Sequence, residues 1–176
     1  MHIELRPLRA DDLPRLAATQ GGAAWKGRDS KRWNRYLTEQ SQGLREVLLA
    51  DTREAIVAYG SLAWVSQNPF FRKAGIPEIQ DLVVAEGYRK GGLGTRIIRA
   101  LEERARTGGH MQVGIGVGLY RDYGAAQRLY SRLGYVLDGT GVSYKNSSVE
   151  PGSQVTVDDD LVIWMLRDLH ELNPQG

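Results

Sequence analysis

The run Arg89-Lys90-Gly91-Gly92-Leu93-Gly94 has the composition of an anion-binding turn. It follows the apolar segment Leu82-Val83-Val84. It precedes a stretch in which Leu93, Ile97, Ile98, Leu101 and Ala105 fall on one helical face. A strand that feeds a helix through glycines exposes backbone N–H groups, because glycine tolerates the required dihedrals and carries no side chain to block approach. Those groups meet the positive end of the helix dipole, and Arg89 and Lys90 add formal charge beside them. The chemistry this suits is the binding of a phosphate or pyrophosphate. Two common phosphate loops are excluded. A Walker loop needs Lys-Ser or Lys-Thr where Leu93 follows Gly92, and a dinucleotide fingerprint needs a third glycine where Ile97 stands. A tight strand–helix connection with solvated Arg and Lys is the plain structural alternative.

A second constellation spans Gly124 to Tyr135. Ala126, Leu129, Tyr130 and Leu133 share one helical face, and Gly134 stands in the C-terminal cap role. A phenol has an ordinary pKa of about 10, so Tyr130 is protonated at neutral pH and able to donate; the alternative is a core tyrosine with a satisfied hydroxyl. The two constellations together resemble the GNAT superfamily of N-acetyltransferases. Arg89-x-x-Gly92-x-Gly94, with Leu82-x-Val84 upstream, is similar to that family's acyl-CoA pyrophosphate loop. The Ala126-x-x-x-Tyr130 helix ending in Leu133-Gly134-Tyr135 is similar to its second motif.

The resemblance implies acetyl-CoA as acyl donor, contacted by Leu82, Val83, Val84, Arg89, Lys90, Gly91, Gly92, Leu93, Gly94 and Thr95. It implies that Tyr130 protonates the departing thiolate. Many family members carry asparagine where this chain has Tyr123, so Tyr123 is the candidate for the pantetheine contact there, with Asp122 or backbone as substitutes. The specific motifs lie within residues 78–135, and the element order matches from about Ile3 to Leu169.

Acyl transfer to an amine needs a neutral acceptor nitrogen, hence a carboxylate that takes its proton, usually through water. It also needs a polarised thioester carbonyl, which backbone N–H groups around Val83 and Val84 can supply. Glu78 and Asp81 are the carboxylate candidates. Strand alternation puts Glu78, Gln80, Leu82 and Val84 on one face and Asp81 on the other; Glu78 is preferred and Asp81 is the fallback. The family's acceptor site draws on the early helices and the late loops. Here these supply Trp25, Trp33, Tyr36, Phe71 and Asp160, aromatics and carboxylate suited to a cationic amine. For the Asp158–Asp160 run, a solubilising turn is the competing reading.

The elements that must hold these residues alternate. A strand is expected near Ile3–Leu8, and a helix capped by Asp11 or Asp12 follows. A helix over Ser30–Gln42 and a hairpin of Glu46–Ala50 with Ala55–Val65 come next, then a loop over Ser66–Pro77. Strands are expected at Met111–Leu119, Tyr135–Leu137 and Leu161–Leu166, with a Gly/Ser-rich excursion over Asp138–Gln154. In the Met111–Leu119 strand, Gly114, Gly116 and Gly118 share a face, which implies close approach by a helix or a ligand. The fold class is α/β in a single domain over residues 1–176. The resemblance makes it a mixed, mostly antiparallel twisted sheet with helices on both faces and a V-shaped splay between the two central strands.

Formal net charge is +2, too mild to call for nucleic acid as a main partner. The absence of cysteine excludes disulfides and cysteine nucleophiles, and three scattered histidines give no metal site. No apolar run reaches membrane-spanning length and the first residues lack a signal-peptide pattern, so a cytoplasmic location is the default expectation. The expected partners are acetyl-CoA and an amine acceptor, with a homodimer left open. Three function classes compete: an N-acetyltransferase acting on a small-molecule primary amine by direct ternary-complex attack, one acting on a protein, peptide or aminoacyl-RNA amine, and a non-catalytic acyl-CoA sensor. Tyr130 and Glu78 argue against the third.

Overall fold

The computed structural model describes residues 2–18 and 29–170. Strand β1 (Glu4–Pro7) leads through a 3-10 turn (Ala10–Asp12) into helix α1 (Leu13–Ala18). Helix α2 (Ser30–Ser41) begins where the Asp29 carboxylate accepts the Arg32 N–H at 3.0 Å, satisfying a donor the helix leaves open. Strands β2 (Arg45–Asp51) and β3 (Ile56–Ala63) form the expected hairpin. Then come α3 (Pro69–Ala74), β4 (Glu78–Val84), a 3-10 turn (Glu86–Tyr88), α4 (Leu93–Thr107) and β5 (Gln112–Gly118). A further 3-10 turn (Arg121–Tyr123) precedes α5 (Gly124–Arg132), followed by β6 (Val136–Tyr144), β7 (Ser147–Ser148) and β8 (Leu161–Asp168). The chain is α/β, and every strand pair with a defined register is antiparallel.

Two segments differ from the sequence reading. The expected loop over Ser66–Pro77 contains α3, which is fully capped: Asn68 accepts the Phe71 N–H, Pro69 takes the first turn, and Gly75 closes the helix at φ 66°. The expected excursion after Leu137 is strand instead. β6 continues to Tyr144 and turns back through Lys145 and Asn146, both at positive φ (51° and 62°), into β7.

The described residues gather into two compact units, Met1–Trp64 with Ile79–Arg104, and Val65–Glu78 with Ala105–Gly176. In the first, the strand order is β1-β2-β3-β4. Helix α2 lays Trp33 and Tyr36 into a core with Val47, Leu49, Tyr59 and Val83; the Trp33 and Tyr59 rings meet edge-on at 4.9 Å. On the opposite face of β3, a Cβ at Gly60 would lie 2.7 Å from Ile97 and 3.3 Å from Leu101, so the missing side chain lets α4 lie directly on the strand. Arg6, Asp12, Arg15 and Asp51 tie β1, the first turn, α1 and β2 together: Arg6 bonds Asp12 at 2.5 Å and Asp51 at 2.6 Å, and Arg15 bonds Asp51 at 2.7 Å.

In the second unit the order is β5-β8-β6-β7. Here the alternating glycines of β5 receive aromatic rings. A Cβ at Gly114 would fall 2.2 Å from the Phe71 ring, at Gly116 2.8 Å from Trp164 across the sheet, and at Gly118 2.3 Å from Tyr123. The close approach that the glycines imply is made by side chains of this chain. Phe71 is fully buried and its ring meets Trp164 at 5.3 Å, so it has nowhere to move. Gly114→Ala is therefore expected to destabilise the fold by about 1–3 kcal/mol, the usual cost of overpacking. Urea denaturation would show it, with part of the loss recovered in Gly114→Ala/Phe71→Leu. An unmoved midpoint in the single variant would contradict this packing account.

Candidate active site

The loop between β4 and α4 takes the shape its glycines suggest. Lys90 and Gly92 adopt positive φ, 64° and 78°, and residues 89–92 are all exposed. A side chain at Gly92 would meet nothing within 4 Å, so the space in front of the loop is open. The Gly92 carbonyl accepts the Arg96 N–H at 3.0 Å, which starts α4 there and leaves the N–H groups of Leu93, Gly94 and Thr95 without acceptors inside the helix. Leu93 contributes through backbone alone, because its side chain is in the core. Arg89 reaches back to the last carbonyl of β4, donating from Nε to Val84 O at 3.0 Å, and so ties the loop to the strand it leaves. Turn, open space and a fifteen-residue helix beginning at Leu93 form an anion cradle.

Glu78 opens β4 and is buried, with 5 % of its surface exposed. Its carboxylate accepts the Ser66 hydroxyl, whose oxygen in turn accepts the Asn68 N–H at 2.9 Å. Ser66 has no signal in the sequence; it is found only once the chain before α3 folds back. Tyr130 is on α5 with 6 % exposure, its ring 6.0 Å from that of Tyr135. Burial pushes its phenol above the ordinary value, so the proton stays on. Among the described residues its hydroxyl makes no hydrogen bond.

Asp81 differs from the strand-parity reading. Its φ is 54°, a left-handed residue within a strand, and this bulge changes the alternation. Gln80 and Asp81, adjacent in sequence, both turn to the α2 side: Gln80 accepts from Arg45 at 2.9 Å, and Asp81 accepts from the Tyr36 hydroxyl on one oxygen and from Arg32 at 3.2 Å on the other. Leu82 then returns to the α4 side beside Gly60, and Val83 to the α2 core. With both oxygens already accepting, Asp81 is poorly placed to take a proton. Burial pushes the Tyr36 phenol up, and the adjacent Asp81 charge pushes it further, so Tyr36 remains a donor. Burial opposes the charge on Arg32, but Asp81, Tyr36 and Tyr59 together outweigh it and its pKa is raised.

The aromatic residues expected at the acceptor rim are mostly interior. Trp33 and Tyr36 are 2 % and 1 % exposed, and Phe71 is wholly covered; their rings pack the cores and do not line a rim. Trp25 lies outside the described residues. Tyr123 packs its ring on Gly118 and gives its hydroxyl to Asp159 at 2.9 Å, where Tyr120 also donates at 2.5 Å. Burial, then the hydrogen bond to Asp159, raises the Tyr123 phenol. In the aspartate run Asp158 accepts the Tyr144 hydroxyl at 3.2 Å and the Asp160 N–H at 3.0 Å; Asp160 is exposed. Among the described residues no three His, Asp or Glu side chains group so as to hold a metal ion, and no helix is long and apolar enough to cross a membrane.

Known structures share the fold. An N-acetyltransferase from Staphylococcus aureus Mu50 superimposes with a TM-score of 0.68 at 13% identity, over 96% of this chain and 99% of its own. A ribosomal-protein-alanine N-acetyltransferase from Brucella melitensis gives 0.68 at 20% identity, over 94% and 99%. A GNAT family acetyltransferase from Elizabethkingia anophelis, solved with acetyl-CoA bound, gives 0.59 at 18% identity, over 94% and 97%. At these identities the likeness establishes the fold. Comparison with curated proteins yields no match. The family model for the GNAT acetyltransferases matches residues 9–135, which contain the cradle, Glu78 and Tyr130. With the motifs in that span and the shared fold around them, the chain belongs to the acetyltransferase (GNAT) family, whose members are acyl-CoA-dependent N-acyltransferases.

Proposed function

We infer that this chain is a single acetyltransferase domain that moves an acetyl group from acetyl-CoA to the primary amine of a small molecule, in one ternary complex. The observation that carries the reading is the open cradle of residues 89–95 at the start of α4. Its backbone N–H groups, with Lys90 beside them, would hold the pyrophosphate, and Tyr123 remains the candidate for the pantetheine arm. Acetyl-CoA would supply an activated acyl thioester. Backbone N–H groups of Val83 and Val84 polarise the acyl carbonyl. Glu78, oriented by Ser66, accepts the proton of the acceptor amine through water, and Tyr130 donates a proton toward sulfur. No covalent bond to the enzyme is required, in keeping with a chain that has no cysteine. Asp160 supports a cationic acceptor as an exposed carboxylate. The same reading places the enzyme in the cytoplasm.

Thiol release from acetyl-CoA, followed across a panel of small primary amines and N-terminal peptides, tests the activity and the acceptor class together. The expected result is turnover with small amines above that with peptides; turnover with peptides alone would move the assignment to a protein acceptor. By calorimetry, Gly92→Asp is expected to abolish measurable acetyl-CoA binding. The new side chain is strained at φ 78° and brings negative charge into the cradle. A folded Gly92→Asp protein with parental affinity would remove the cradle from the reading.

A further inference from the structure

A non-glycine residue at positive φ inside a strand is costly and persists only where surrounding contacts over-determine it. Asp81 meets that description, and the contacts that hold it come from α2 and from the start of β2. The Tyr36 hydroxyl donates to one carboxylate oxygen and Arg32 to the other, at 3.2 Å. The preceding residue is held on the same side: Arg45 donates to the Gln80 side chain at 2.9 Å and to the Ser61 hydroxyl at 2.7 Å. The same guanidinium is fixed by Glu39 at 2.5 Å and lies 4.7 Å from the centre of the Tyr36 ring. Bulge and clamp thus form one network, Arg32–Asp81–Tyr36–Arg45–Gln80, inside the first unit. Its effect on the backbone is specific. Without the bulge, Leu82, Val83 and Val84 would each point their side chains and N–H groups the opposite way.

We propose that Asp81 is a positioning residue: clamped by Tyr36 and Arg32, it holds the left-handed bulge that aims the Leu82–Val84 backbone at the acyl group. This rests on the acetyltransferase reading above for its function, though the clamp itself is a property of the fold. It removes Asp81 from the candidates for the base and gives Tyr36 and Arg32 a task that the family motifs do not include.

The test uses side chains that separate backbone conformation from charge. Asparagine tolerates the left-handed region and can still accept from Tyr36; glycine tolerates it with no side chain; valine does not tolerate it. The expected order of kcat is Asp81→Asn and Asp81→Gly above Asp81→Val, by at least about tenfold, the factor that strain of this kind carries. Acetyl-CoA affinity should stay parental in all three. If Asp81 were the base, Asn and Gly would both fail, most severely at low pH, and that result overturns the proposal. Because Asp81→Val can fail by misfolding, Tyr36→Phe provides an arm independent of turnover. It keeps the ring in the core and deletes only the donor, and amide hydrogen exchange at Leu82–Val84 should quicken by about tenfold or more as the bulge loosens. Unchanged exchange there overturns the clamp. A parent enzyme that releases no thiol with any amine would instead count against the acetyltransferase reading, and the exchange experiment would still decide the clamp.

Discussion

Tyr130→Phe should fold and bind acetyl-CoA as the parent does, while turnover falls by about 10²–10⁴-fold, the usual consequence of losing a positioned general acid. The fold is expected to tolerate the change because the ring is what α5 buries, against Tyr135 at 6.0 Å, and the hydroxyl makes no hydrogen bond among the described residues. Burial raises the phenol above its ordinary pKa of about 10, so the proton is present throughout the neutral range. The alkaline limb of kcat should then lie above that value, and Tyr130→Phe should remove the limb along with the rate. Parental turnover in the Phe variant would make Tyr130 a packing residue and leave the acid to be found elsewhere.

What could be read from the sequence was what is decided locally. The Arg89–Gly94 turn, the Ser30 helix and the Gly134 stop are set by residues within a few positions of one another, and each forms as expected. The helix α3 was legible too, in Asn68-Pro69 and Gly75, but its six residues show no apolar period and the Phe70-Phe71 pair reads as loop. Asp81 was not legible. Its dihedral is imposed by a tyrosine 45 positions earlier, and nothing near it in sequence announces a bulge. The described aromatic residues expected at the acceptor rim are interior for a related reason. Trp33, Tyr36 and Phe71 are amphipathic or apolar surfaces whose destination depends on which strand glycines leave room for them, and Gly114 left room for Phe71. The Ser66–Glu78 and Tyr120–Asp159 hydrogen bonds join residues 12 and 39 positions apart.

Arg6→Leu is expected to cost about 3–5 kcal/mol of stability at neutral pH, because it breaks a buried ion pair from one side only. The Arg6 guanidinium bonds both Asp12 and Asp51, and the three side chains are only 12%, 3% and 8% exposed. Arg15 would still hold Asp51 at 2.7 Å, but it stands 3.9 Å from Asp12. Against its burial Asp12 would keep the Arg9 N–H at 2.9 Å and the long Arg15 pair, and lose both of its close charged hydrogen bonds. The pH dependence gives the argument a second check. In the parent, Arg15 and then Arg6 hold Asp51 well below the usual carboxylate range. For Asp12, burial pushes upward, but the hydrogen bonds from Arg6 and the Arg9 N–H prevail and its pKa is also lowered. Groups depressed on folding stabilise fully above the unfolded pKa of about 3.9, and that contribution is lost as pH falls through the folded values. The parent should therefore lose stability below about pH 4. Arg6→Leu reverses the sign at Asp12: burial without its cation raises the folded pKa, so the variant is penalised at neutral pH and relieved as the carboxylate protonates. Urea midpoints measured from pH 7 to pH 3 should consequently converge, the gap between parent and variant shrinking as acid is added. A gap that stays constant would mean that Arg6 acts through the packing of its stem against β1 and β2, with its charge immaterial.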